Sequence, residues 1–233
     1  MQLFYVPNIS GDEVILNETE SKHAVRVLRL VPGNVVQLID GKGGFYDAEI
    51  TDANQKKCQL KIRKTIQEFG KKNFRLHLAI APTKNIDRFE WFLEKATEIG
   101  IDEITPLLSD HSERKSVKPE RLEKILVSAM KQSVKAYLPK LNEMISFNDF
   151  IKNCTSKNRF IAHCYEGEKH HLKNVVEKAQ DVVILIGPEG DFSLEEVTLA
   201  RNNGFTEVSL GPTRLRTETA AVVACHIVNL IND

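Results

Sequence analysis

Apolar residues fall in short runs over the first seventy positions and in a longer alternating rhythm after that. Residues 3–6, 35–39, 45–50 and 58–66 read as strands, broken by Pro32-Gly33 and by Gly41-Lys42-Gly43-Gly44. They predict a small β-rich unit. Between the first two runs, residues 18–29 carry helical spacing, with Ser21, Ala24, Val25 and Leu28 close to one face and Lys22, Arg26 and Arg29 toward solvent. From residue 74 strands and helices alternate. Candidate strands at 75–80, 103–107, 159–163, 182–186 and 207–210 predict a mostly parallel α/β sheet covered on both sides.

The helices between them have distinct signatures. In 85–100 the residues Ile86, Phe89, Phe92, Leu93, Ala96 and Ile99 recur every three or four positions, and Gly100 supplies a stop. Segments 119–135 and 169–179 are similar. Ser193-Leu194-Glu195-Glu196 has the form of a capping box, and Asn203-Gly204 closes that helix. The last helix, 217–230, is apolar nearly all round and needs cover on most sides, which predicts a homodimer. A boundary near 68–73, where Gly70, Lys71 and Lys72 separate apolar runs, divides the chain into domains 1–72 and 73–233.

Composition narrows the class. The 233 residues are 42% hydrophobic and 27% charged, and no apolar run approaches the roughly 18 residues of a membrane span. The start, Met-Gln-Leu-Phe-Tyr-Val-Pro, has no export signal, so the expected compartment is the cytoplasm. Cys58, Cys154, Cys164 and Cys225 are too scattered for a disulfide framework or a zinc knuckle. His163, His170 and His171 lack a spaced carboxylate or thiolate partner, so no metal is expected. Net charge is zero, yet its distribution is uneven. Residues 1–72 hold 11 basic and 9 acidic groups, 73–110 hold 4 and 7, 111–140 hold 8 and 3, and 141–233 hold 9 and 13. The two basic regions are either solvated faces or surfaces for a polyanion. The basic groups to test are Lys22, Arg26 and Arg29, then Lys61, Arg63 and Lys64, then Arg114, Lys115 and Lys118.

Two loops at carboxyl ends of strands, where open α/β sheets bind ligands, are candidates for chemistry. One is Ile186-Gly187-Pro188-Glu189-Gly190-Asp191-Phe192-Ser193; the other runs from Leu210-Gly211-Pro212 through Arg216-Thr217-Glu218-Thr219. Gly187 and Gly190 would allow a ligand close to the backbone, although Gly-Pro-x-Gly is also an ordinary turn. No Walker lysine follows and no G-x-G-x-x-G opens a helix, which disfavours a nucleotide-dependent enzyme.

Taken together, residues 182–231 resemble the carboxyl-terminal signature of the SPOUT methyltransferases. Leu-Ile-Gly-Pro-Glu-Gly with Leu-Gly-Pro-x-x-Leu-Arg-Thr-Glu-Thr-Ala is similar to the 16S rRNA (uracil-N(3))-methyltransferase family. The likeness extends to His23-Ala24-Val25-Arg26-Val27-Leu28-Arg29, to Lys84 with Glu94-Lys95-Ala96-Thr97-Glu98-Ile99-Gly100, and to residues 129–139. It implies a PUA-like β-barrel that binds RNA, then a SPOUT domain tied in a deep trefoil knot, a topology exceptional enough that periodicity never reveals it. It further implies S-adenosylmethionine bent between three loops, completed by a second subunit. Carried onto this chain, the cofactor-binding positions are His163, Gly187, Pro188, Glu189, Gly190, Leu210, Gly211, Leu215, Arg216 and Thr217. Lys84, Gln132 and Lys135 join the RNA-binding candidates. One departure is Lys131-Gln132-Ser133-Val134-Lys135 where many members have Glu-Gln-Ser-x-Arg, since lysine lacks the planar fork of arginine.

The implied reaction on ribosomal RNA or the small subunit removes a proton from a uracil imide exposed in a loop or flipped out. Arg216 is the candidate to stabilise charge on a uracil carbonyl, and Glu189 and Glu218 are candidate bases or orienting groups. Both glutamates also fit structural roles, in a turn and at the positive end of the last helix. A relative acting on another RNA or on a ribose hydroxyl, and a catalytically silent RNA-binding homologue, are the alternatives.

Overall fold

The computed structural model describes residues 2–233. The chain divides into two compact units, the first taking residues up to 71 together with 130–138, the second 72–129 and 139–233.

The first unit contains β1 (Leu3–Tyr5), β2 (Glu13–Ile15), α1 (Glu18–Lys22), β3 (Val35–Ile39), β4 (Phe45–Asp52) and β5 (Gln59–Ile66). Its strands form one sheet in the order β1-β3-β4-β5-β2, with β1 parallel to β3 and the other pairs antiparallel. β2 carries no readable alternation, since Val14 is its one inward side chain. Phe4, Leu16, Val36, Leu38, Ala48, Ile50 and Leu60 form the core. α1 widens into a π-helix at His23–Val27, where Leu28 N donates to His23 O at 3.0 Å. The wider turn lets Val25, Leu28 and Leu30 join Ala24 against the core, and Arg29 ends it at φ 54°. The helical spacing at 18–29 therefore marks two kinds of helix.

Residues 130–138 lie beyond the sequence boundary yet belong to this unit because Met130 and Ala136 pack with Ile39 and Phe45. Gly43 N and Leu138 N donate to Ala136 O and Gly41 O at 2.9 and 3.0 Å. Gly43 has φ 102°, and a Cβ there would stand 2.4 Å from the Tyr137 hydroxyl, so the position demands glycine.

The second unit contains β6 (Leu76–Ile80), α2 (Ile86–Ile99), β7 (Glu103–Leu108), most of α3 (Pro119–Gln132), β8 (Lys140–Leu141), β9 (Ile145–Ser146), α4 (Phe147–Asn153), β10 (Asn158–Ala162), β11 (His170–His171), β12 (Val182–Ile186), α5 (Leu194–Asn202), β13 (Thr206–Ser209) and α6 (Thr217–Asn232). Its strands pair in parallel in the order β11-β13-β10-β12-β6-β7-β8, with β9 on β7. All five residues of the central strand β12 are buried, which explains its unbroken apolar run. Because β13, β10 and β12 are parallel neighbours, the loops that follow them leave the same edge of the sheet.

The expected helix at 169–179 is not formed. The segment instead gives β11 and a single 3-10 turn, Leu172–Asn174. Pairing of His170 and His171 with Val208 and Ser209 overrides a helical pattern that has only Leu172 and Val176 to bury. α6 packs on α2 through Ala221, Ala224, Cys225 and Val228, and the Asn229 amide oxygen lies 2.8 Å from where a Cβ of Gly100 would be. Leu230 is exposed, and Val222, Val223, Ile227 and Ile231 are half-buried, so the chain itself leaves a stripe of α6 uncovered.

Candidate active site

The turns after β10, β12 and β13 enclose a cleft of about 680 Å³. His163 and Cys164 line it from the first turn, Gly187, Pro188, Glu189 and Asp191 from the second, and Leu210 through Thr217 from the third. Every expected cofactor position reaches this cleft except Gly190, whose carbonyl is turned to His111 Nδ1 at 3.0 Å. A Cβ on Gly187 would lie 3.1 Å from Phe192 N and one on Gly190 3.0 Å from His111 Cβ, so a side chain at either position would press on its neighbours within the protein. At Gly211 a Cβ would meet nothing within 4 Å, but φ is 140° and excludes other residues.

The loops are tied together by polar side chains that no local pattern singles out. Asp191, at φ 63°, accepts from Cys164 N at 2.7 Å and from Phe192 N at 2.9 Å, joining the turns after β10 and β12. Lys169 Nζ donates to His163 O at 2.8 Å and also to Tyr165 O. The same ammonium faces His163 Nδ1 at 3.4 Å, which makes that nitrogen the acceptor and leaves Nε2–H to donate to Glu207 at 2.8 Å. Burial pulls the His163 pKa below its usual range against the opposing pull of Glu207, so the ring is neutral.

The loop after β7 staples the second turn from its other side. His111 Nδ1 donates to Gly190 O and Asp191 O, both at 3.0 Å. Asp110 N donates to Glu196 at 3.0 Å, and Glu196 closes the predicted capping box on Ser193. Burial raises the Glu196 pKa, opposed by the backbone N–H groups it accepts from. Glu189 is exposed, with Oε1 accepting from Lys84 N at 2.9 Å. Arg114 donates to the carbonyls of Thr83 and Lys84 at 3.0 and 2.7 Å, so its guanidinium braces the loop that Glu189 holds.

Arg216 is exposed at the N-cap of α6 and lines the cleft. Glu218, two residues on, is buried in the first turn of the same helix and is not part of the cleft lining. A second cleft, of about 650 Å³, opens at the amino ends of the strands beside Arg75, His77, Glu103 and Asp181. Its buried carboxylate is already engaged: Glu103 is held by Arg75, Lys140 and Asn142 at 2.7, 3.2 and 2.7 Å, and burial pushes the His77 pKa down to about 4. The carboxyl-end cleft keeps exposed cations and open backbone, and it is the candidate site.

Among the basic candidates, Lys22 pairs with Glu18 at 2.6 Å, Arg63 with Glu49 at 2.8 Å and Lys84 with Glu113 at 2.7 Å, while Arg26 donates to Gln55. Such exposed pairs are screened by water and hold their partners weakly. Arg29, Lys61, Lys64, Lys115, Lys118 and Gln132 are exposed, and Lys135 is half-buried. Among the described residues, no cluster of His, Cys, Asp and Glu has the arrangement of a metal site, and no helix is long and apolar enough to cross a membrane.

A family profile described as an RNA methyltransferase domain matches residues 70–229, and one described as an RNA methyltransferase PUA domain matches 16–63. Ribosomal RNA small subunit methyltransferase E of Rickettsia conorii is 30% identical over 223 residues, covering 93% of this chain and 90% of that protein. The chain belongs to the ribosomal RNA small subunit methyltransferase E family. Solved structures similar to this member of the family include a probable rRNA-methyltransferase from Porphyromonas gingivalis, 43% identical with a TM-score of 0.93, covering 100% of this chain and 98% of that one. Another is ribosomal RNA small subunit methyltransferase E from Neisseria gonorrhoeae bound to S-adenosyl methionine, 27% identical with a TM-score of 0.89, also covering 100% and 98%.

Proposed function

We propose that the chain transfers a methyl group from S-adenosylmethionine to N3 of a specific uridine in 16S ribosomal RNA of the small subunit. The observation that carries this reading is the meeting of the three loops in one cleft at the carboxyl edge of the sheet, in a chain whose Neisseria relative holds S-adenosyl methionine. The donor set suits that cofactor. Ile186, Leu210 and Leu215 offer an apolar wall for an adenine, backbone groups of the 210–217 loop face the same space, and the cleft presents both carboxylates and cations to a zwitterionic amino acid. When bound, the cofactor supplies an electrophilic methyl on a sulfonium.

The residues do the rest by position. Arg216, at the mouth, stabilises charge on a uracil carbonyl oxygen as the imide proton leaves. Glu218 and Glu189 are the groups to receive or orient that proton, with Glu189 additionally fixing the loop at Lys84. His163, fixed as the Nε2–H tautomer, holds its turn against β13 through Glu207.

The finer architecture follows the same reading. The first unit is a PUA-like barrel that docks RNA with Lys22, Arg26, Arg29, Lys61, Arg63 and Lys64. The loops of the second form a deep trefoil knot, and a second copy covers the open stripe of α6 in a cytoplasmic homodimer. The test is incubation with labelled cofactor and small subunits or 16S rRNA from a strain lacking the activity, then mass spectrometry of the nucleosides. Label in N3-methyluridine is expected. Label in a ribose methyl or in another base overturns the assignment of the acceptor atom, and no label with intact cofactor binding points to a silent homologue.

A further inference from the structure

Beside the cleft lies a smaller cavity, of about 330 Å³, between α2 and the start of α6. Arg88 and Trp91 line it from α2, Glu218 and Thr219 from α6, and Arg216 stands in the wall of both this cavity and the larger cleft. The two spaces are therefore neighbours across one guanidinium.

Its chemistry is unfinished. Glu218 is only 6% exposed, yet among the described residues its Oε2 has no hydrogen-bond partner, and Arg88 Nε stands 3.9 Å from its Oε1. A buried carboxylate oxygen without a donor is costly and calls for an N–H. Trp91, the one tryptophan of the chain, is 44% exposed and lines the cavity, and an indole is a stacking platform for a base. Arg88 and Arg216 line the same cavity as this carboxylate, and each guanidinium is a donor suited to a carbonyl oxygen.

We infer that this cavity is the acceptor-base subsite, in which a flipped uracil stacks on Trp91 and donates its N3–H to Glu218 while Arg88 and Arg216 hold the carbonyls on either side. The inference rests on the proposed methyl transfer and adds the residues that select the base. The pattern acceptor–donor–acceptor along the uracil edge matches guanidinium–carboxylate–guanidinium. Cytosine has a bare N3 lone pair facing the carboxylate and is rejected. In the transfer, the N3 proton passes to Glu218, the N3 electron pair forms the new N–CH3 bond, and the S–CH3 bond breaks with its pair returning to sulfur. The products are methylated base, neutral thioether and a protonated Glu218 that gives its proton to water.

The single tryptophan is a built-in reporter. Unmodified 16S rRNA transcript is titrated into wild-type protein saturated with S-adenosylhomocysteine, followed by Trp91 emission, and the titration is repeated with transcript already methylated by the enzyme. Quenching by the first and at least tenfold weaker quenching by the second are expected, since the product lacks the donated proton. Glu218→Gln weakens the quenching titration about tenfold. Trp91→Ala raises KM for RNA at least tenfold with cofactor affinity unchanged, and Trp91→Phe restores it. Emission that ignores RNA, that follows protein concentration because a second copy covers Trp91, or an unchanged KM in Trp91→Ala overturns the subsite while methyluridine formation by the wild type stands. Absence of methyluridine from the wild type instead overturns the methyl-transfer reading.

Discussion

Replacing Asp191 by glycine separates the conformation of the loop after β12 from the tie its carboxylate makes. The residue sits at φ 63°, where a side chain costs on the order of 1 kcal/mol that glycine does not incur. Glycine's larger unfolded-state entropy returns about 0.4–1 kcal/mol of that, so the backbone terms nearly cancel. What remains is loss of the carboxylate that accepts from Cys164 N and Phe192 N. A hydrogen bond to a charged acceptor is worth about 1.5–3 kcal/mol, and the one to Cys164 is what joins two walls of the cleft. If cofactor binding must re-order that joint at a cost of about 2 kcal/mol, Kd rises roughly thirtyfold. Asp191→Asn keeps tolerance of positive φ and one acceptor oxygen, and should lose about tenfold. Isothermal titration calorimetry with S-adenosylmethionine, beside urea unfolding, reads both quantities. Asp191→Gly that binds cofactor within threefold of wild type would show the carboxylate to be a local turn device and refute the reasoning.

Arg216→Ala should lower kcat about a hundredfold or more with the melting temperature unchanged, because the side chain is exposed and its work is on developing charge; near-normal turnover removes it from the mechanism. Stability should also depend on His77, whose folded pKa is about 4 because burial outweighs the pull of Glu103. As pH falls, the unfolded chain binds this proton first, near pH 6.5, so stability declines between about 6.5 and 4 by on the order of 3 kcal/mol. His77→Gln should remove that portion of the slope in urea unfolding, and identical slopes would contradict it. RNA binding should weaken as salt rises, and Lys61→Ala and Lys64→Ala should each reduce the log–log slope by about one; unchanged slopes would mark them as solubilising residues only. Analytical ultracentrifugation should find dimers at micromolar concentration, and monomer alone would leave the open stripe of α6 unexplained.

The parts of the fold that local chemistry dictates could be read from the chain. β12 announces itself because five buried residues leave no polar face, and α5 because Ser193 and Glu196 satisfy its first N–H groups. α4 has the same kind of local signature, since Ser146 caps it and Phe147, Phe150 and Ile151 have helical spacing. The helix expected at 169–179 failed for the opposite reason, since pairing of β11 with β13 is a tertiary event with no local sign. The site divides along the same line. Glycine and proline mark where the loops turn, but a glycine does not say what crowds it. Phe192 and His111 crowd Gly187 and Gly190 from within the protein. Asp191, Cys164, Lys169 and His111 acquire their roles from strand order, which sets β10 beside β12 and brings residues 27 positions apart in sequence within 2.7 Å. No periodicity carries that order. Spacing along a chain can therefore nominate the loops of a site such as this one, whereas the side chains that hold those loops in register are fixed by which strands become neighbours.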